Sequence, residues 1–327
     1  MKSILDCTLR DGGYINNWNF NDKFIDNYLE LMTELKVEFV ELGFINKTKN
    51  YKNEIVGKLR NLDKETISYY SNKFNKLKIV LMADFTDINN EILHENLPVE
   101  LIRVVFHKKN FKEAIKKCEE IKKMGYKVCA NPMAITNYND KELDELLSLS
   151  NKSKIDNFYI VDSYGSLNQN ELINIYIKCK ASLNNINIGI HLHNNMNNAF
   201  NNYSCLINNF LNDNIIVDST LFGMGRGAGN LQTELLLLNN DQTLIFKIVE
   251  FIYLYIKPYY KTINNEWGYD LDFLISGLYK IHPNYVVKLR EFNFSTLKTI
   301  EILFILYNNY NNESKALNIE LLNSIIS

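Results

Sequence analysis

Short apolar runs alternate with amphipathic stretches along the first two-thirds of the chain. Residues 4–6, 37–42, 78–83, 101–106, 127–130, 158–162, 186–191 and 215–219 are short and rich in aliphatic and β-branched side chains, the pattern of strands buried on both faces. Between most of them, residues 22–36, 111–124, 140–150 and 169–183 repeat apolar positions at helical spacing; Phe24, Ile25, Tyr28, Leu29, Leu31 and Met32 form such a stripe. Eight strand-then-helix units predict an α/β fold, a (β/α)8 TIM barrel. A doubly wound open sheet is the alternative. Against it, the compact glycine cluster lies at 223–229, late in the chain, and not after the first strand.

Two stretches break the alternation. A polar, lysine-rich excursion of about 30 residues follows residue 42, longer than a compact barrel needs. Beyond 240 the strands stop, and residues 245–259, 270–279 and 295–307 read as helices with aromatic and aliphatic faces. Residues 1–240 are therefore expected to form the barrel, and 241–327 a helical C-terminal region that caps the site or docks a partner.

Composition narrows the class. At 327 residues and 46% hydrophobic composition, the chain can bury a large core. A net charge of −2 with dispersed basic residues gives no nucleic-acid or membrane-surface signature. No apolar run approaches the roughly 20 residues of a membrane span, and Met1-Lys2-Ser3 passes directly into a strand without a leader-like apolar segment. Five dispersed cysteines with no CxxC pair suit reduced thiols, so a cytoplasmic protein without structural zinc is expected. Asn-Asn pairs recur throughout, so a functional asparagine must be argued by position.

Three strand ends carry chemistry. His191-Leu192-His193 closes an apolar strand, and residues i and i+2 of a strand share a face, so two imidazoles project together where active sites form. They are candidate metal ligands, or two polar histidines satisfied by local hydrogen bonds. The first strand ends in Asp6-Cys7-Thr8-Leu9-Arg10-Asp11-Gly12-Gly13. Asp11 offers a hard oxygen ligand, Arg10 a donor fork for a carboxylate or enolate, and the glycines a tight turn; a salt bridge closing the barrel end is the plainer reading. Glu41, inside an apolar strand, needs a partner, and Arg10 on the neighbouring strand is the candidate.

Arg10, Asp11, Glu41 and the late His191-Leu192-His193-Asn194 resemble the signature of the DRE-TIM metallolyase superfamily, which includes 3-hydroxy-3-methylglutaryl-CoA lyases. The chain is most similar to its 4-hydroxy-2-oxovalerate aldolase branch. Val161-Asp162-Ser163-Tyr164-Gly165 and the segment from Asp218 to Asn230, with Glu234 after it, match further motifs of that family in the same order. The resemblance implies an aldolase-type carbon–carbon lyase working through the metal-stabilised enolate of a pyruvate-like 2-oxo acid, with an aldehyde as the other substrate. It implies metal ligation by Asp11, His191 and His193, with Asn230 as a fourth candidate. Manganese is expected first; Mg²⁺, Co²⁺ and Zn²⁺ also suit the donor set.

Arg10, Ser163, Asn131 and Tyr285 become the expected substrate contacts, and Arg10, Tyr14, Glu41 and His282 the expected catalytic groups. The pattern also breaks. Tyr14 stands where the aldolase branch has a histidine base, and Ile275 where it has a C-terminal tyrosine, leaving Tyr279, His282 or Tyr285 as substitutes. A different aldehyde partner is therefore expected. A Claisen-type synthase or CoA-ester lyase, and a non-catalytic barrel scaffold, are the competing readings. Homo-oligomerisation, or docking of a partner enzyme on the helical tail, is the expected interaction.

Overall fold

The computed structural model describes residues 2–48, 50–51, 54–237, 242–262 and 267–326. Eight parallel strands close into a barrel: β1 (Lys2–Asp6), β2 (Phe39–Phe44), β3 (Lys78–Asp84), β4 (Leu101–Phe106), β5 (Val128–Pro132), β6 (Asn157–Asp162), β7 (Asn187–Leu192) and β8 (Ile215–Ser219). Each pairs with its sequence neighbours, and β8 returns to β1 with Asp6 opposite Ser219. The TIM-barrel reading holds, and the open-sheet alternative falls with the β1–β8 closure.

Strand alternation divides the core in two. Outward side chains such as Val40, Leu42, Ile79, Leu81, Ile102, Val104, Ile188 and Ile190 pack against the surrounding helices. Each Ile or Leu so buried stabilises the fold by about 1.5–3 kcal/mol. Inward side chains Leu5, Cys7, Val80, Leu101, Cys129, Tyr159, Val161 and Ile216 fill the barrel. Gly189 on β7 lets the Tyr159 ring cross the interior, since a Cβ there would lie 2.3 Å from the ring. A register shift between Glu41 and Gly43 bulges β2 against β3 next to the site.

The helices include α1 (Asp22–Glu34), α2 (Lys64–Lys73), α3 (Asn90–Leu93), α4 (Phe111–Lys123), α5 (Asp140–Lys152), α6 (Gln169–Ser182) and α7 (Ala199–Asn209). Position gives several asparagines a role here. Asn21 caps α1 by accepting from the Phe24 amide, and Asn139 and Asn168 form capping boxes with Glu142 and Glu171. The lysine-rich excursion is not a plain loop. It carries a two-stranded antiparallel pair (Asn50–Tyr51 with Glu54–Ile55) and α2, whose buried face needs only Ile67 and Tyr70.

Helix α8 (Gln242–Phe251) runs through a π-helical segment, Ile252–Ile256, into Lys257–Thr262. Phe251, Tyr255 and Tyr259 pack their rings against Phe24 of α1 at 5.6, 6.4 and 5.7 Å. The expected boundary at 240 lies outside the described residues. Helices α9 (Leu271–Leu278), α10 (Asn284–Glu291), α11 (Thr296–Asn309) and α12 (Ile319–Ile326) build a second cluster around Phe273, Ile281, Tyr285, Leu289, Leu303 and Leu322. Among the described residues no helix is long and apolar enough to cross a membrane. The tail is tied over the C-terminal end of the barrel: Tyr164 donates to the Lys315 carbonyl at 3.1 Å, and Trp267 to the Phe222 carbonyl at 2.9 Å.

Candidate active site

Asp11, from the turn after β1, meets His191 and His193 at the end of β7. The nearer Asp11 oxygen, Oδ2, is 3.5 Å from His191 Nε2 and 3.9 Å from His193 Nε2. The other nitrogen of each ring is already committed. His191 Nδ1 donates to Asp218 Oδ2, and His193 Nδ1 to the Asp162 carbonyl, both at 2.9 Å. A carboxylate and a carbonyl can only accept, so Nδ1 of each ring carries a proton, and Nε2 is the atom each ring, when neutral, offers as a ligand toward Asp11. Burial and neighbouring His191 push His193 down to about 3, so it is neutral. Burial works against charge on His191 too, but Asp11 and Asp218 outweigh it and raise its pKa. Burial would likewise raise Asp11, yet Arg10 and His191 hold it well below the usual carboxylate range.

This donor set fits a divalent metal. Ligand atoms about 2.1 Å from one ion stand roughly 3–3.5 Å apart, and the three ligand atoms here lie within 4.8 Å of one another. Asn230 adds to the fit. Its Nδ2 donates to Asp11 Oδ2 at 2.7 Å, while its buried Oδ1 has no hydrogen-bond partner; a half-turn of the amide would offer that oxygen to the same space. Gly225 leaves room for the contact, because a Cβ there would lie 2.2 Å from Asn230 Nδ2. Cys7, His191 and Asp218 form a second compact group. There burial pushes the Cys7 thiol well up, and Asp218 is held by Arg103 and His191, so this group supports the first.

Arg10 bridges the site as expected: Nε donates to Glu41 at 2.6 Å and Nη1 to Asp11 at 2.9 Å. Glu41 has a second partner that sequence reasoning missed. Arg103, wholly buried on β4, lies 3.1 Å from Glu41, donates to Asp218 at 2.5 Å and to Asn131 at 3.0 Å, and covers the Tyr159 ring at 4.1 Å. Its signal was a lone arginine in Leu101-Ile102-Arg103-Val104-Val105-Phe106, the argument already applied to Glu41. The chain Asp11–Arg10–Glu41–Arg103–Asp218–His191 thus closes on itself beneath the ligand set.

An inner pocket of about 60 Å³ is lined by Arg10, Asp11, Tyr14, Asn131, Ser163, His191 and His193, among others. Tyr14 sits there under the Arg226 guanidinium, 4.2 Å from its ring, with Trp18 and Phe44 in T-shaped contact at 4.7 and 6.3 Å. Ser163 accepts from the Ala134 amide at 2.8 Å. His282 lies further out, in a cavity of about 650 Å³ that shares Met133, Ser163, His193 and Arg226 with the inner pocket. Burial, with Arg226 next, holds His282 well below the ordinary imidazole value. Its Nδ1 accepts from the Asn284 amide at 3.2 Å, which leaves an Nε2–H donor and not a base. Tyr285 is a correction: it is wholly buried in the tail cluster, and its hydroxyl accepts from the Asn318 amide at 3.1 Å, so it does not reach substrate. Ile275 and Tyr279 pack in the same cluster, Tyr279 against Phe304 and Tyr307.

A family model described as HMGL-like matches residues 2–251. A 4-hydroxy-2-oxovalerate aldolase from Bacillus cereus (strain ATCC 10987 / NRS 248) is 24% identical over 243 residues, 73% of this chain and 69% of that protein. The crystal structure of the N-terminal domain of a candidate aldolase from Bacteroides vulgatus matches with a TM-score of 0.78 at 30% identity, covering 92% of this chain and 99% of that one. An HMG-CoA lyase from Bacillus subtilis shares the fold, with a TM-score of 0.55 at 14% identity over 84% of this chain and 91% of its own. Divalent-metal dependence is typical of the family whose ligand geometry is described above. The chain belongs to the HMGL-like family of the DRE-TIM metallolyase superfamily and is an aldolase-type lyase.

Proposed function

We propose that the protein makes or breaks the carbon–carbon bond between a pyruvate-like 2-oxo acid and an aldehyde, with Mn²⁺ as the preferred ion. The observation that carries this reading is the pair of Nε2 atoms, of His191 and His193, converging on Asp11 beside the Arg10 fork. Asp11, His191 and His193 would hold the ion, with Asn230 Oδ1 as the additional candidate. When bound there, a divalent ion supplies Lewis acidity toward a ketone oxygen.

The residues do the rest. Ser163 and Asn131 line the inner pocket where the 2-oxo acid sits. Arg10, anchored by Glu41, directs donors at the oxygen that gains charge as the enolate forms, and its anchoring spares reorganisation. In the synthetic direction C3 of the 2-oxo acid loses a proton and bonds to the aldehyde carbon. The aldehyde oxygen takes a proton, and nothing is oxidised or reduced. Tyr14 moves the hydroxyl proton in this reading, which its sharing of the inner pocket with Arg10 and His191 supports. His282, as a neutral N–H donor, orients the aldehyde in the outer cavity.

The test is a screen of pyruvate plus aldehydes with Mn²⁺, product detected by mass. Product formation by the wild type and its loss in Asp11→Asn and His191→Ala supports the reading; variants as active as wild type overturn it.

A further inference from the structure

The outer cavity has a charge pattern the reaction does not need. Five cations line it, Lys108, Lys109, Arg226, Lys280 and Lys315, against one carboxylate, Glu313. Partly buried lysines elsewhere include pairs with a carboxylate, as in Lys117–Glu120 and Lys122–Asp156. Of the four cavity lysines, Lys108 is paired, 2.6 Å from Glu142; among the described residues Lys280 and Lys315 have no ion pair.

Lys315 is the clearest departure. Its Nζ donates to the Lys280 carbonyl at 2.9 Å and to Asn311 Oδ1 at 2.7 Å, two neutral acceptors, with no ion pair among the described residues. The Lys280 backbone is left-handed, with φ at 54°, so the chain adopts an uncommon conformation that presents its carbonyl to Lys315. Partial burial and the neighbouring Lys280 push Lys315 down to about 8, the mark of a cation lacking its counter-charge. Arg226 faces the same space from the β8 loop, between the inner pocket and this wall. The inner pocket, about 60 Å³, is much the smaller of the two spaces. The outer cavity, about 650 Å³, has the capacity of a small-molecule site.

We propose that the aldehyde substrate carries a phosphate ester at the end remote from its carbonyl, and that Lys280, Lys315 and Arg226 bind that phosphate. This rests on the aldolase reading above. A phosphate monoester brings a charge of about −1.5 to −2 and three acceptor oxygens, which three cations lining one cavity match better than they match a single carboxylate. The aldehyde end then reaches inward from His282, which lines the outer cavity, past Ser163, which lines both spaces. The phosphate takes no part in bond making, so the proton and carbon balance is unchanged.

The test compares glyceraldehyde with glyceraldehyde 3-phosphate as partners for pyruvate in the presence of Mn²⁺. The expected result is a kcat/KM on the order of a hundredfold higher for the phosphorylated aldehyde, the worth of two charge-assisted hydrogen bonds. Inorganic phosphate is expected to compete with it. Lys280→Met and Lys315→Gln are each expected to raise its KM about tenfold or more. Equal kcat/KM for the two aldehydes, or a preference that survives both substitutions, would overturn the proposal; the wild-type comparison decides even if a variant fails to fold. Solvent-proton exchange into pyruvate alone, measured on the same wild-type sample, separates the two levels. Exchange without phosphate preference sinks the phosphate site only, whereas no exchange sinks the aldolase reading and this inference with it.

Discussion

Asp218→Asn is the most instructive perturbation of the site, because Asp218 touches no substrate and yet holds a metal ligand. Its Oδ2 accepts from His191 Nδ1 at 2.9 Å and from Arg103 Nη2 at 2.5 Å, and the residue is 2% exposed. The amide is nearly isosteric but has one acceptor oxygen and no charge. With the amide oxygen in the place of Oδ2 both bonds persist but lose the negative charge that strengthens them; with the amide turned over, its N–H donors face His191 Nδ1–H and Arg103, and both acceptors are lost. Loss of such an outer partner weakens metal binding about 10- to 100-fold, equal to about 1.4–2.8 kcal/mol. Removing one partner of a buried pair costs about 3–5 kcal/mol. The lower end applies here, because Glu41 still stands 3.1 Å from Arg103. Calorimetric titration with Mn²⁺ should show the weaker Kd, and urea unfolding of the metal-free protein a loss of about 3 kcal/mol. A variant with unchanged Kd and unchanged stability would refute the assignment of Asp218 and Arg103 as support for the ligand set.

Arg10→Lys keeps the charge but loses the fork shared between Glu41 and Asp11. Steady-state kinetics should show kcat reduced about 10²- to 10³-fold, the worth of a lost oxyanion donor, with Mn²⁺ affinity largely retained. Gly225→Ala would set a Cβ 2.2 Å from Asn230 Nδ2 and push it off Asp11; thermal unfolding should show a loss of about 1–3 kcal/mol, with weaker Mn²⁺ binding. Metal affinity should fall as pH falls. His191 must be unprotonated to ligate, and Asp11 and Asp218 raise its pKa above the ordinary imidazole value, so proton competition begins above that value and grows as pH falls. Titrations in buffers of different ionisation enthalpy should register the released protons, and a pH-independent Kd between 6 and 8 would contradict the ligand assignment.

Much of the fold was legible in the sequence because parallel strands buried on both faces read as apolar runs, and their order needed no long-range information. Strand parity likewise placed His191 and His193 together, and an unpartnered Glu41 pointed correctly to Arg10. What was not legible depended on register and on facing. Asp218 reaches His191 only because β8 lies beside β7 with Val217 opposite Ile190. Arg103 repeated the Glu41 signal, but its two carboxylates come from strands on either side of the barrel interior, β2 and β8. Tyr285 was misplaced because a helical position faces one side only, and α10 turns 285, 286 and 289 into the tail core. The helix in the lysine-rich excursion was hidden by a buried face of just Ile67 and Tyr70. Lys280 and Lys315 come from a turn after α9 and a short 3₁₀ segment, where no periodicity reveals what faces the cavity.

The central claim is that Asp11, His191, His193 and Arg10 form one enolising centre for a 2-oxo acid. Proton NMR of pyruvate in deuterated solvent tests it without knowledge of the aldehyde. Exchange of the C3 protons is expected with wild-type protein and Mn²⁺, to disappear on chelation, and to be lost in Asp11→Asn and His191→Ala. Exchange that persists after chelation or in both variants would contradict the claim.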